Sequence, residues 1–357
     1  MNDKIFTPHF RTTPLIKESL EALDRSRWLV EGMLITPKYA TWARRAAAVR
    51  RAVGTTRIEG ASLGVEAVAG LAQRAQPAKL SEDETANVNA LETYEWIDYL
   101  SDQRDIPIDE LVVRELNRHF LRGASEILTP GAYRKGQNTV GGFTPPDQGD
   151  VPPLMRSFAL WLRDESDTTH PVLRAAIAHL HLVAIHPFWD GNGRTARGLA
   201  ALVLQRSGYG FNRLLSLEYH FFEQRPGYYA AIARSAGKTF TLRYDATPFL
   251  NFFASELSKH VQHVVASLTD WHRRMGEMQE RVAKEHAGLN SRQIDGLIYA
   301  LQSGRLKPSE YKEITGASPL TSSRDLAGLV KSGLLIAEGR TRGRSYRLAE
   351  RLRGKST

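Results

Sequence analysis

The chain has 357 residues, 42% of them hydrophobic, and a formal charge of +9, which is length enough for two or three domains. It contains no cysteine, which excludes a thiol nucleophile, a thiolate zinc site and a disulfide framework. No apolar run could span a bilayer and residues 1–10 lack a secretory apolar core, so the expectation is a cytoplasmic enzyme with no membrane partner.

In chain order the pattern is mainly α. Residues 1–80 read as an N-terminal helical region, clearest over 15–33 and 39–58 and closed by Gln76-Pro77. Trp28, Trp42 and Trp96 fall within helical patterns and are expected in the core or at domain contacts. A second region spans 81–265. Ser81-Glu82-Asp83-Glu84 has the form of a capping box, and helices follow over 84–100, 109–121 and 154–163. Strand signals are few apart from the Gly/Pro-rich stretch 132–146. Over 172–185 a helix places Leu173, Ala176, Ile177, Leu180 and Ala184 near one face. The next helix begins near Gly193 and carries Leu199, Leu202 and Val203.

A polar helix over 261–286 supplies a linker at 266–287, followed by a domain at 288–357. Helices over 289–301, 307–316 and 318–332 precede strands at 333–336 and 345–348, around the turn Gly339-Arg-Thr-Arg-Gly343. This is the order of a winged helix-turn-helix domain. Thirteen Lys+Arg against six Asp+Glu put +7 of the chain's +9 there. Such charge beside a helix-turn-helix is a nucleic-acid footprint, although a dimer contact or a target-recruiting arm fits the same pattern.

Between the two central helices lies His186-Pro-Phe-Trp-Asp-Gly-Asn-Gly-Arg-Thr-Ala-Arg197. It combines an imidazole, a carboxylate, a flexible turn and two arginines spaced to share a helix face. The turn sits at a helix N-terminus, where free N–H groups and the helix dipole favour an anion. Two guanidinium forks beside it suit phosphate oxygens. His179 and His181, two apart on a helix, point to different faces and read as packing residues.

This string resembles the motif of the Fic (filamentation induced by cAMP) family, His-x-Phe-x-Asp/Glu-Gly-Asn-Gly-Arg-x-x-Arg, at all eight specified positions. The resemblance implies a Fic-type helical bundle with a small β-hairpin flap. It also implies transfer of AMP from ATP to a Ser, Thr or Tyr hydroxyl of a protein, the enzyme itself included. His186 corresponds to the general base and Phe188 to a core anchor. Asp190 corresponds to the Mg²⁺ ligand, and Gly191, Asn192 and Gly193 to the anion cradle. Arg194 and Arg197 correspond to the β- and γ-phosphate contacts. Thr55-Thr-Arg-Ile-Glu59-Gly60 resembles the family's inhibitory segment, in which Glu59 would pair with Arg197 and spoil the nucleotide pose. Val140, Gly141, Gly142 and Phe143 resemble the target-docking flap, and Tyr228 and Tyr229 the aromatic pair near the base. The partners implied are ATP, a hydroxyl-bearing protein and, left open, DNA and a second copy of the chain. Two other functions fit the same residues: removal of AMP, with Glu59 aligning water, and a DNA-binding regulator whose Fic module senses nucleotide.

Overall fold

The computed structural model describes residues 6–33, 37–73, 80–123, 129–164, 168–285, 288–339 and 344–352. Gln76-Pro77, residues 286–287 of the expected linker and turn residues 340–343 lie outside them. The chain divides into two compact units. One holds residues 40–264 with the N-terminal helix, and the other runs from Val265.

The first unit is helical. Thr13 caps α1 (Pro14–Gly32) by accepting the Ile16 N–H at 3.2 Å. α2 (Pro37–Ile58) ends at Gly60, where φ is 106° and the Ala61 N–H returns to the Thr56 carbonyl, a glycine-terminated helix end. α3 (Val65–Leu71) precedes α4 (Glu82–Asp102), which opens on the expected capping box of Ser81 and Glu84. α5 (Glu110–Phe120), α6 (Val151–Arg163), α7 (Pro171–Ile185) and α8 (Asn192–Arg206) follow. α9 (Leu217–Glu223) and α10 (Arg225–Ala236) lead to α11 (Thr247–Glu285).

α7 and α8 pack on each other, and α8 also meets α4 and α5. The apolar stripe read for α7 understates its burial, because His179, His181, Leu182 and Ile185 are buried as well. The two histidines are packed in the core. His179 shares a 2.8 Å hydrogen bond with the Tyr228 hydroxyl, and His181 a 3.0 Å bond with that of Tyr244. Burial pushes the His181 pKa down to about 3 and that of His260, on α11, to about 4. Unfolded imidazoles bind protons below about 6.5. The unfolded state therefore binds more protons between about 6.5 and those folded values, and stability present above 6.5 is lost as the pH falls. The melting temperature should drop steadily from pH 7 to pH 5, each such imidazole contributing up to about 1.4 kcal/mol per pH unit. A flat or rising profile in a pH-scanned thermal melt would contradict this.

Two sequence expectations need correction. Trp28 is not a core residue but 71% exposed, with the Arg27 guanidinium 6.0 Å from its ring centroid. The buried side of α1 runs through Ile16, Leu23 and Val30, and position 28 falls off it. The long helix starts at Thr247, well before 261, because Phe249, Phe253, Leu257 and Val261 recur four apart and are buried.

α2 meets α9 backbone to backbone at Gly54. A Cβ there would collide with the main chain of Tyr219. Gly54→Ala should therefore displace α2 and destabilise the protein by about 1–3 kcal/mol, the scale of overpacking. An unchanged denaturant midpoint would show that this approach is not tight.

In the second unit, α12 (Ser291–Ser303), α13 (Pro308–Thr315) and α14 (Pro319–Lys331) precede β1 (Leu335–Glu338) and β2 (Ser345–Leu348). The strands are antiparallel, Leu335 opposite Leu348 and Glu338 opposite Ser345. Leu306 adds a bridge to Tyr346. Leu297, Tyr311, Leu326, Leu329 and Leu348 fill the core. Asp325 accepts from the Tyr311 hydroxyl, Arg292 and Asn290.

Candidate functional site

The loop from α7 to α8 is held from its ends. His186 caps α7 in the left-handed region, φ 51° and ψ 57°, a conformation that opposes an L-residue by about 1–2 kcal/mol. Phe188 is buried. The Asn192 side chain accepts the Phe188 N–H at 3.0 Å and donates to the Phe188 carbonyl at 2.8 Å, locking the loop. Gly191, at φ 73°, supplies the turn into α8. The N–H groups of Asn192, Gly193 and Arg194 then fall in the first turn, without intrahelical acceptors. Asn192 thus faces any anion with its backbone only.

Asp190 Oδ2 accepts from Arg194 Nη2 at 3.0 Å, and Oδ1 from the Gly191 N–H at 2.6 Å. Arg194 Nε is buried without an acceptor among the described residues, a donor free for an incoming oxygen. Burial, above all, pushes the His186 pKa down to about 4, so its imidazole is neutral at pH 7 and able to accept a proton.

Arg197, one turn on, is buried and turned toward α2. Its Nη2 donates to Glu59 Oε1 at 2.6 Å and to the Thr55 carbonyl at 3.0 Å. Nε donates to Thr55 Oγ1 at 2.9 Å and Nη1 to the Tyr228 hydroxyl at 3.3 Å. Burial works against its charge, but Tyr228 and Glu59 outweigh it and raise its pKa. Glu59 also lies over Gly193, where a Cβ would collide with its Oε1. The carboxylate therefore sits on the first turn of α8, beside N–H groups that favour an anion.

Tyr228 and Tyr229 part company. Tyr228 is buried against His179 and Arg197, whereas Tyr229 is 44% exposed and donates to the Ile58 carbonyl at 3.2 Å. Of the two, only Tyr229 has a free face.

The flap is a minimal hairpin. Val140 and Phe143 exchange two 2.9 Å backbone bonds around Gly141 and Gly142, both at positive φ. Beyond it, the Thr144 N–H donates to the Lys238 carbonyl and the Phe240 N–H to the Thr144 carbonyl, each at 2.9 Å. That edge is taken, and alternation leaves the backbone of Thr139 facing the open one.

Two organising residues escaped the sequence reading. Asn117 donates to the Asp190 carbonyl at 2.9 Å and to Thr195 Oγ1 at 3.2 Å, and accepts the Gly131 N–H. The signal for it was present: a polar residue on the stripe of Val113, Leu116 and Phe120. The other is Arg134, in the stretch 132–146, whose guanidinium is buried and donates to the His186 carbonyl at 3.0 Å.

Magnesium suits the carboxylate that is present. Asp190 is half exposed, and each of its oxygens, with one hydrogen bond from the protein, keeps lone-pair capacity. No group of three or more His, Cys, Asp or Glu among the described residues could cage a metal. One carboxylate completed by phosphate oxygens and water is an ordinary magnesium site.

Residues 107–204 match the Fic/DOC family. A protein named adenylyltransferase Fic from Drosophila yakuba is 48% identical over 106 residues, 29% of this chain and 21% of that protein. The same figures hold for that of Drosophila melanogaster. The matched stretch thus spans only about a fifth of these curated relatives. A Fic family protein from Desulfovibrio desulfuricans G20 superposes with a TM-score of 0.63 at 21% identity, covering 97% of this chain and 99% of that one. Fic-1 of C. elegans superposes with a TM-score of 0.57 at 23% identity, over 72% and 73%. At these identities the likeness is one of fold. The motif and the helical architecture agree with these likenesses: residues 107–204 match the Fic/DOC family, and the chain shares its fold with the solved Fic proteins.

Proposed function

We propose that this protein is a self-inhibited protein adenylyltransferase. The observation that carries the reading is the Glu59–Arg197 pair, seated on the first turn of α8 against Gly193. The catalytic groups converge there: neutral His186, the N–H groups of α8, Arg194 with an unspent donor, and Asp190.

ATP would lie with its phosphates on the α8 N-terminus, Arg194 on the β-phosphate and Arg197 on the γ-phosphate. A target segment pairing along the open flap edge brings a Ser, Thr or Tyr hydroxyl to His186. The hydroxyl oxygen attacks the α-phosphorus, its proton passes to the imidazole, and the bond to the β-phosphate oxygen breaks to release pyrophosphate. Asp190 would hold magnesium, which neutralises phosphate charge. The protein's share is positioning and charge stabilisation. In the resting state Glu59 occupies the Arg197 donor that the γ-phosphate needs.

The test uses ATP labelled at the α- or the γ-phosphate, with Mg²⁺ and the Glu59→Gly protein. Label from the α-position alone should enter protein. Label from the γ-position would indicate phosphoryl transfer and sink the reading. Removal of AMP as the main activity gives a third pattern: the wild type, but not Glu59→Gly, strips label from a pre-labelled protein.

A second reading concerns the C-terminal unit, which we read as a winged helix-turn-helix that contacts duplex DNA. α14 leaves Leu320, Ser323, Arg324, Ala327 and Lys331 exposed along one face, while Ser322, Leu326 and Leu329 are buried. Duplex binding should weaken steeply with salt and fall further in Arg324→Glu/Lys331→Glu. Binding that ignores both changes would remove this reading.

A further inference from the structure

Arg134 is a buried cation, 2% exposed, whose side-chain hydrogen bonds all go to carbonyl-type oxygens. Nε donates to the His186 carbonyl at 3.0 Å. Nη1 donates to the Gly136 carbonyl at 2.9 Å and to Gln137 Oε1 at 3.1 Å, and Nη2 to the Pro146 carbonyl. Its backbone N–H donates to the Pro187 carbonyl at 2.9 Å. Gln137 closes the ring by donating from Nε2 to the Pro145 carbonyl at 2.9 Å. One guanidinium thus joins three segments: the start of the flap, its end, and the loop carrying His186. Burial lowers the Arg134 pKa, so its charge is held in place against a desolvation penalty. A second contact runs in parallel. Gly136 lies on the Trp189 ring, where a Cβ would stand 3.0 Å away.

We propose that Arg134 is a positioning residue that couples the flap to His186, so that a target seated on the flap and the base that takes its proton are held as one body. The inference rests on the adenylyl-transfer reading for its consequence, but the coupling is a property of the fold. His186 occupies a left-handed conformation, and the carbonyls of His186 and Pro187, in two successive peptides, are both held by Arg134. A planar fork with five donors can reach oxygens on three segments at once; a lysine ammonium cannot.

The experiment adds Arg134→Lys and, separately, Gln137→Ala to the Glu59→Gly protein. Arg134→Lys should lower kcat for AMP transfer about 10- to 100-fold, as expected when a base is displaced. The KM for ATP should stay within about twofold, because the phosphate contacts lie elsewhere. Gln137 is exposed, so its loss leaves folding intact and should lower kcat about 3- to 10-fold, the scale of one hydrogen bond. Amide exchange supplies a readout that does not depend on transfer. In Arg134→Lys the N–H groups of Val140 and Phe143 and that of Phe188 should lose protection together, while those of α4 keep theirs. Unchanged kcat in both variants, a rise in the ATP KM that accounts for the loss, or faster exchange in only one segment would overturn the proposal. If the Glu59→Gly parent transfers no AMP, the transfer reading fails, and amide exchange alone still decides the coupling.

Discussion

Glu59→Gly is expected to raise the initial rate of pyrophosphate release by about 10- to 100-fold over the wild type, the range of a 1–3 kcal/mol coupling. The reason lies at Arg197. All three of its nitrogens already have acceptors: Thr55, Glu59 and Tyr228. Removing Glu59 takes one carboxylate from Nη2 and leaves a buried, uncompensated cation, a strong site for a phosphate oxygen. It also clears the face of Gly193. The Thr55 contacts come from α2 itself, ahead of Glu59, and survive, so the arginine stays aimed. A rate no higher than wild type would mean that Glu59 does not limit nucleotide use.

Adding His186→Ala to Glu59→Gly is expected to lower the rate by about 10²- to 10⁴-fold, the usual contribution of a general base, while calorimetric ATP affinity stays nearly constant. The imidazole is neutral across pH 5–8 because burial pushes its pKa down to about 4. Its removal therefore takes away a proton acceptor and no positive charge near the phosphates. Loss of ATP binding together with rate would assign His186 to the nucleotide site instead.

Much of the first unit was legible because its helices are long and their apolar periods regular. The capping box at Ser81 and Glu84 could be read from four residues. What stayed hidden has local physical causes. α3 and α9 have seven residues each, too short for a period to stand out. The burial of α7 on all sides shows as general hydrophobicity, without a stripe. Trp28 was misplaced because composition cannot say which face of α1 is covered. At the site, the 186–197 segment reads as loop and helix from its glycines and Pro187. The pairing of Glu59 with Arg197 spans 138 positions, and no local pattern carries such a contact; only family resemblance raised it. The opposite settings of Tyr228 and Tyr229 were equally unreadable, since neighbours on a helix differ in face and nothing in Tyr-Tyr says which side is core. Arg134 gave no signal of its own, because its partners are backbone carbonyls, which every sequence has.

The most direct measurement follows α-phosphate label entering protein, with Mg²⁺ and a cell lysate, for the wild type, Glu59→Gly and Glu59→Gly/His186→Ala side by side. Strong labelling by Glu59→Gly alone is the expected result, and it joins the transfer chemistry, the inhibitory pair and the base in one observation. Equal labelling by the wild type and Glu59→Gly, labelling that survives loss of His186, or none in any sample would contradict the account.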